Sequence, residues 1–273
     1  MVKFSEETRF AIDVAKEAGA RLLEVHSEPH DLEFTTRQHF RTEADRESDA
    51  LIRKRIQEAY PEHGINSEED KAKETGSLER WVVDPIDGTI GFTTKITDHW
   101  SVCISLVRGD QPVLGVTYAP QRKELYVAEL WTGAYCNNQR IFVSEEDPNR
   151  VLMGMDSGKV TKTFNRKSIA PFIERALEDK GISCPICTGC ASVPIALTAK
   201  ENYHAYMALS LEPWDMAAGV LIAREAGARV TSVDGREWNI NEPSILIANP
   251  RLHEKLVEYF KDQSREYVKS GQR

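Results

Sequence analysis

The 273-residue sequence predicts an α/β fold with two lobes. Two helical patterns open the chain, and the β-branched and aromatic segments that follow them favour an antiparallel meander. From about residue 149, helical and strand patterns alternate. We therefore expect a single domain over residues 1–265, with an α+β lobe to about residue 148 and an α/β lobe over 149–265. A frayed tail is expected over 266–273.

Caps and apolar stripes indicate the helices of the first lobe. Ser5 can cap a helix to about His26, whose apolar residues recur at helical spacing. A second helix is predicted over 46–60, where Pro61 ends it. The polar residues 28–40 between the two helices indicate a loop or flap.

Turn residues mark the strands of the first lobe. An apolar run over 81–83 predicts a buried strand, and turns at 109–110 and 120–121 separate the strands that follow. These later strands are expected at 99–107, 112–118 and 124–129, with a short one near Ile141.

In the second lobe, the alternation predicts helices and strands in turn. The helices are expected at 166–180, 191–200, 213–226 and from Pro250 onward. The strands are expected at 182–188, 204–209, 229–233 and 244–248. The polar residues from 262 onward indicate fraying.

The composition excludes several classes of partner. A net charge of −8 argues against nucleic acid or an anionic membrane, because both repel an acidic protein. No apolar run approaches the roughly 18 residues of a membrane span, and the first residues lack the apolar segment of a signal peptide. We expect a cytoplasmic protein whose five cysteines are free thiols.

Two acids, Asp84 and Asp87, follow the apolar strand at its carboxyl end. Gly88 and Thr89 complete a tight turn whose backbone N–H groups can meet an anion. Carboxylate oxygens are hard ligands, so this turn is a place to hold a divalent cation against a phosphate. Because the charge of the protein is negative, a bound cation is the simplest way to bind an anionic substrate.

Further acids upstream and downstream extend this candidate site. The candidate ligands are Glu68, Glu69, Asp84, Asp87 and Asp215, with Asp45 nearby. Taken singly, an Asp-Gly pair is an ordinary turn and an acidic run is a solvated surface. Taken together, they favour a metal site, since like charges in contact need a cation between them. Oxygen-only ligands favour Mg²⁺.

Three separated motifs carry a family resemblance. They are Ser67-Glu68-Glu69, Asp84-Pro85-Ile86-Asp87-Gly88-Thr89 and Trp214-Asp215-Met216-Ala217-Ala218-Gly219. In this order they resemble the inositol monophosphatase superfamily of Mg²⁺-dependent, lithium-sensitive phosphatases, and the resemblance covers nearly the whole chain. It implies a layered α-β-α-β-α sandwich of the inositol monophosphatase and fructose-1,6-bisphosphatase type, with one catalytic unit, a metal cluster between its lobes, and a homodimer.

The resemblance implies two or three Mg²⁺ ions at each site. Glu68, Asp84 and the main-chain oxygen of Ile86 would hold the first. Asp84, Asp87 and Asp215 would hold the second, and Glu68 with water would help at a third.

The resemblance also assigns catalytic and substrate-binding roles. Thr89, hydrogen-bonded to Asp45, would orient and deprotonate a metal-bound water, and Glu69 would support the ligands. The amides of Gly88 and Thr89 would bind phosphate oxygens. The implied substrate-binding residues are Asp87, Gly88, Thr89, Gly189, Ala191 and Asp215.

Two substrate positions depart from the family pattern. Inositol-selective members carry a glutamate seven residues before the Trp-Asp aspartate, where this chain has Ala208. Glu212 is either a substitute for it or a surface residue. The family's flap lysine has no match, and Arg37 is either its replacement or a surface arginine.

The leading hypothesis is a Mg²⁺-dependent phosphomonoesterase for an inositol monophosphate-like polyol or sugar phosphate. The alternatives are a 3′(2′),5′-bisphosphate nucleotidase, a histidinol-phosphate phosphatase or a fructose-bisphosphate phosphatase. A rival of another class is a protein-binding regulator. Cys184, Cys187 and Cys190 resemble a soft-metal motif, but no fourth ligand lies at a matching spacing, which favours buried thiols.

Overall fold

Two large β-sheets, one two-stranded sheet and three helical layers make up the described residues of the structure, a computed structural model. It describes residues 3–28, 33–34, 40–145, 150–158, 166–178 and 182–271. The helices are α1 (Glu6–Val25), α2 (Glu43–Ala59), α3 (Thr89–Thr94), α4 (Ala170–Leu177), α5 (Ser192–Ala199), α6 (Pro213–Glu225), α7 (Pro250–Tyr259) and α8 (Lys261–Gly271), with a 3₁₀ turn at Arg166–Ile169. The strands are β1 (Glu33–Phe34), β2 (Phe40–Arg41), β3 (Gly64–Ser67), β4 (Glu79–Asp87), β5 (Ser101–Arg108), β6 (Gln111–Ala119), β7 (Glu124–Glu129), β8 (Gly133–Cys136), β9 (Gln139–Ile141), β10 (Val151–Asp156), β11 (Ile182–Ile186), β12 (Ala205–Ala208), β13 (Arg229–Thr231) and β14 (Ile245–Ala248).

The layers follow the order α-β-α-β-α, which confirms the predicted fold. Helices α1 and α2 cover one face of a seven-stranded sheet of order β3-β4-β5-β6-β7-β8-β9. Helices α5 and α6 lie between this sheet and a five-stranded sheet of order β11-β10-β12-β14-β13. Helices α4, α7 and α8 pack against the outer face of the second sheet.

The large sheet contains the predicted meander. Strands β4 to β9 pair antiparallel with their chain neighbours. Short turns join β5 to β9, whereas α3 lies in the connection from β4 to β5. Strand β3 pairs parallel with β4, so the chain leaves both strands at the same edge of the sheet. This parallel pair brings the segment after Ser67 next to the segment after Val83.

Helix α2 begins earlier than the sequence pattern indicates. Its predicted start was residue 46, but the helix starts at Glu43, because Thr42 and Asp45 form a capping box. The main-chain N–H and the hydroxyl of Thr42 both donate to Asp45 Oδ2 at 2.6 Å. This cap places Asp45 in the first turn of α2, buried and facing β4.

Helix α6 is buried between the two sheets because its residues are small or apolar on all sides. The residues from Asp215 to Ala223 are all buried. Close approach depends on glycine: a Cβ on Gly115 of β6 would lie 2.6 Å from the carbonyl oxygen of Ala218. The helix therefore packs tightly enough to aim its N-terminus at the edge where β4 ends.

The sequence patterns do not predict strand β10 of the second lobe. Its sequence contains one β-branched residue, Val151, and an interior glycine, so its strand propensity is low. The glycine has a packing reason, because a Cβ on Gly154 would lie 2.8 Å from Cδ2 of Tyr206. Tertiary contacts therefore determine this strand, which pairs parallel with both β11 and β12.

The C-terminal segment also differs from its prediction. Fraying was expected from residue 262, but α8 continues to Gly271. Ser264 is buried and donates its hydroxyl to the Val233 carbonyl at 2.9 Å, and Tyr267 donates to the Leu209 carbonyl. These bonds hold α8 to the second sheet.

Residues 28–40 were predicted as a loop or flap. Within the part that is described, β1 and β2 pair antiparallel. Across the described ranges, no helix combines the length and apolar character that crossing a bilayer requires.

Buried His253 gives the first testable prediction. Its Nε2 lies 2.9 Å from the Thr231 hydroxyl, and burial lowers its pKa to about 4. Because the unfolded chain binds this proton near pH 6.5, the folded state loses stability as the pH falls from about 6.5 towards 4. Allowing for solvent screening, we expect wild type to lose about 1–2 kcal/mol more than His253→Gln between pH 7 and 4.5. Urea denaturation at both pH values measures this difference, and equal losses in the two proteins would contradict the assignment.

Candidate metal centre

Three carboxylates from separate elements meet at one edge of the large sheet. Glu68 follows β3, Asp84 lies in β4, and Asp215 lies in the first turn of α6. Each offers an oxygen, and the three oxygens lie within 4.8 Å of one another. Asp84 and Asp215 are buried, while Glu68 is half-buried. The structure thus brings together three of the predicted ligands.

Asp84 is at the centre of this cluster. Its Oδ1 accepts from the Ile86 amide at 3.0 Å, and its Oδ2 is buried without a hydrogen-bond partner among the described residues. Burial raises the pKa of Asp84 well above its usual range, and the negative charges of Glu68, Asp87 and Asp215 raise it further. A cation between these oxygens would reverse that effect.

Asp215 is held by the start of α6. Its Oδ2 accepts from the Glu212 amide at 2.8 Å, in a capping arrangement that follows from an acid at the third helical position. Pro213 at the first position suits the helix start. With the side chain held by this cap, one Asp215 oxygen lies within 4.8 Å of oxygens of Glu68 and Asp84.

Asp87 is adjacent to the cluster but turns toward α5. Its Oδ2 accepts from the amides of Ser192 at 2.6 Å and Ala191 at 3.0 Å, and from the Ser192 hydroxyl. Cys190 Sγ lies 3.1 Å from the same oxygen. Burial raises the pKa of Asp87, whereas the bonds from Ser192 lower it. The role of Asp87 as a metal ligand stays a prediction, because Asp87 is not one of the three converging carboxylates.

The turn after Asp87 requires glycine. Gly88 has φ of 87°, and a Cβ there would lie 2.5 Å from the carbonyl oxygen of His99. The next residue, Thr89, begins α3 and places its Oγ1 3.2 Å from the Ile86 carbonyl and 3.3 Å from Asp45 Oδ1. The predicted pair of Thr89 and Asp45 is therefore in hydrogen-bond range.

Asp45 and Glu69 add two further buried acids. Burial raises the pKa of Asp45 to about 6, partly offset by the bonds from Thr42. Burial and the charges of Asp45 and Glu68 raise the pKa of Glu69 to about 7. Glu69 Oε2 has no hydrogen-bond partner in the described ranges, and it lies 3.6 Å from an Nη atom of Arg41. Glu69 thus lies beside the three converging carboxylates and pairs with Arg41 of β2.

The donor set fits a hard divalent cation. The converging atoms are all oxygens, one of them is buried without a partner in the structure as described, and their charges repel one another. Mg²⁺ takes such ligands and retains positions for water and substrate.

The predicted substrate positions lie around α5 and β12. Gly189 is exposed with φ of 69°, and Ala191 is buried at the N-terminus of α5. Ala208 is buried at the end of β12. The main chain of Glu212 caps α6, and Arg37 lies outside the described residues.

The expectation of buried thiols is only partly right. Cys190 is buried beside Asp87, but Cys187 is exposed, because it follows β11 at the edge of the sheet. The side chain of Cys184 lies outside the described residues. Sequence reasoning missed Ser192, although a serine in the first turn of a helix is a common hydrogen-bond donor to a nearby carboxylate.

The fold and site define an α-β-α-β-α protein with an oxygen-only acidic centre. The sequence profile of the inositol monophosphatase family matches residues 3–265. This chain therefore belongs to the inositol monophosphatase family, whose members are metal-dependent phosphatases.

Three similar proteins illustrate the range of the family. The chain is 31% identical over 257 residues to the Nus factor SuhB of Vibrio cholerae, covering 92% of this chain and 94% of that protein. It is 32% identical over 217 residues to the fructose-1,6-bisphosphatase/inositol-1-monophosphatase of Thermotoga maritima, covering 80% of each. The solved structure of a Thermotoga maritima IMPase matches with a TM-score of 0.83 and 28% identity, covering 96% of this chain and all of that one.

Because the charges in the cluster repel one another, Asp84→Asn should raise the melting temperature without metal and should remove the stabilisation by metal. In EDTA the variant should melt about 2–5 °C above wild type, because one of the repelling charges is gone. Magnesium should raise the melting temperature of wild type and leave the variant nearly unchanged. Differential scanning fluorimetry measures both effects.

Asp70→Asn is the matched control, since Asp70 is an exposed acid next to the same motif. It should respond to magnesium as wild type does. A wild-type melting temperature that magnesium does not move would contradict the site.

Proposed function

We propose that this chain is a Mg²⁺-dependent phosphomonoesterase that hydrolyses a small phosphorylated polyol or sugar, with inositol monophosphate as the first substrate to test. The observation that carries the proposal is the convergence of Glu68, Asp84 and Asp215, together with an Asp84 oxygen that is buried without a hydrogen-bond partner within the described structure. The family membership supports the reaction class. We propose that residues 1–265 act as one catalytic unit.

The ligands proposed for two or three Mg²⁺ ions are Glu68, Asp84, Asp87, Asp215 and the main-chain oxygen of Ile86. When bound, Mg²⁺ supplies charge stabilisation at the phosphoryl group and lowers the pKa of water. Asp87 would join this set through Oδ1, while the amides of Ser192 and Ala191 hold its side chain in place through Oδ2.

Thr89 and Asp45 form the proposed proton path. When Thr89 Oγ1 donates to Asp45 Oδ1, its lone pairs are directed to accept a hydrogen bond from an attacking water. Asp45 can then take the proton, because its pKa of about 6 is closer to neutrality than that of an ordinary aspartate. Thr42 holds Asp45 in orientation through its two hydrogen bonds.

The backbone amides of Gly88 and Thr89 are the proposed hydrogen-bond donors to the phosphate. Gly88 begins the turn in a left-handed conformation, which directs successive N–H groups to the same side. Glu69 stays behind the ligands, where its pairing with Arg41 limits the negative charge near the phosphate.

A substrate panel tests the proposal. Phosphate release is measured from inositol monophosphate, fructose bisphosphate, histidinol phosphate and adenosine 3′,5′-bisphosphate, in Mg²⁺, in EDTA and in Mg²⁺ with Li⁺. We expect turnover in Mg²⁺ only, inhibition by Li⁺, and a kcat at least about 100-fold lower in Asp84→Asn. Asp70→Asn should retain wild-type turnover. Normal turnover in Asp84→Asn would show that the ligand assignment is wrong.

A second candidate is a protein-binding regulator, since the Vibrio cholerae relative is named as a Nus factor. In either case, we propose that the chain is a cytoplasmic homodimer. Affinity capture with wild type and Asp84→Asn separates the two functions: capture of one partner by both variants, with phosphate release by neither, favours the regulator. Phosphate release by wild type alone favours the enzyme.

A further inference from the structure

Asp156 ends β10 directly beside Ala208, the last residue of β12. The two strands pair in parallel register, with Gly154 opposite Tyr206 and Asp156 opposite Ala208. Partners in register direct their side chains to the same face of a sheet. Tyr206 and Ala208 pack in one cluster with Ala191, so that face is the one that meets the central helices. Asp156 therefore lies on the same side as the metal centre.

The surroundings of Asp156 connect it to the predicted substrate positions. The side chain is half-buried, its Oδ1 accepts from the Gly158 amide at 2.8 Å, and its Oδ2 lies 4.0 Å from Cys187 Sγ. Cys187 is two residues before the exposed Gly189. Asp156 thus lies close to the segment that leads from β11 to Gly189.

Tyr206, opposite Gly154 on β12, lies in the electrostatic field of Asp156 and of two acids of the site. Its hydroxyl is buried and has no hydrogen-bond partner in the described part of the chain. Burial raises the pKa of Tyr206 well above its usual range, and the negative charges of Asp156, Asp87 and Asp215, among others, raise it further. These charges act on the one hydroxyl, in agreement with the strand register that places Asp156 on the face of the sheet that meets the central helices.

The other acid near this position is committed elsewhere. Glu212 forms a capping box at the start of α6, in which its side chain faces the Asp215 amide and its main-chain amide donates to Asp215 Oδ2. Ala208 offers no polar atom. Asp156 hence brings a carboxylate beside Ala208, from a neighbouring strand that sequence patterns do not reveal.

We infer that Asp156 is a specificity-determining residue that accepts hydrogen bonds from the hydroxyl groups of a polyol monophosphate and disfavours a second phosphate group at the same position. The inference rests on the proposed phosphomonoesterase function. A carboxylate accepts from neighbouring hydroxyls through its two oxygens, and these charge-assisted bonds are stronger than neutral ones. The same charge repels a phosphate, so substrates with a second phosphate at this end bind poorly.

Asp156→Asn tests the inference with two substrates in Mg²⁺. With inositol monophosphate, we expect KM to rise about 10-fold with a smaller change in kcat, because charged hydrogen bonds to the substrate are lost. With p-nitrophenyl phosphate, which has no hydroxyl to donate, kcat/KM should stay within about twofold of wild type. Hydrolysis of fructose bisphosphate relative to inositol monophosphate should rise at least about fivefold. Asp110→Asn, an exposed aspartate on a remote turn, is the matched control and should change no ratio.

Asp156→Ala combined with Ala208→Glu provides the second arm. If position 208 adjoins the same hydroxyl groups, the double variant should regain a preference for inositol monophosphate over p-nitrophenyl phosphate that Asp156→Ala alone has lost. Melting temperatures establish whether each variant is folded. If the double variant does not fold, the Asp156→Asn result alone decides.

The outcomes separate this inference from the function on which it rests. Wild-type hydrolysis of both monoesters with an unchanged substrate ratio in Asp156→Asn overturns the inference and leaves the proposed function standing. An equal loss on both monoesters also overturns it. The absence of any wild-type hydrolysis overturns the proposed function and the inference with it.

Discussion

Repulsion among buried carboxylates is the constraint on which this structure depends. Asp84 has one oxygen without a partner in the described ranges and faces the charges of Glu68, Asp87 and Asp215. A folded protein retains such an arrangement when something positive binds there, because an uncompensated buried charge costs several kcal/mol of stability. The acidic net charge of the chain adds to this need. The same repulsion would give the site its affinity for a hard cation.

The layered fold is what makes the convergence possible. The parallel pair of β3 and β4 delivers two acids at one sheet edge, and the buried helix α6 delivers a third from the middle layer. Small residues let α6 approach the sheet closely, and Gly88 lets the chain turn sharply behind Asp87. Caps then orient the acids: Thr42 orients Asp45, and the start of α6 orients Asp215. The strand pairing, the close packing of α6 and the caps thus together determine the position of the acids.

Much of this site could be predicted from the sequence, because its motifs are local. An apolar strand followed by two acids and a glycine defines the edge, and the position of Asp215 at a helix start is visible in the proline before it. The meander and the helices of both lobes also follow from turns and periodicity. Strand β10 could not be predicted, since Gly154 and a scarcity of β-branched residues hide it. Asp156 was missed with it, because only strand register places it beside Ala208. The contacts of Asp87 with Ser192 span 105 positions in the chain, a distance that no sequence pattern bridges.

The most direct test of the central claim is anomalous diffraction from crystals soaked in Mn²⁺, which replaces Mg²⁺ at oxygen sites and is visible above the manganese absorption edge. The account predicts an anomalous peak about 2.0–2.3 Å from carboxylate oxygens of Glu68, Asp84 and Asp215. Crystals at saturating manganese with no peak within bonding distance of these oxygens would contradict it.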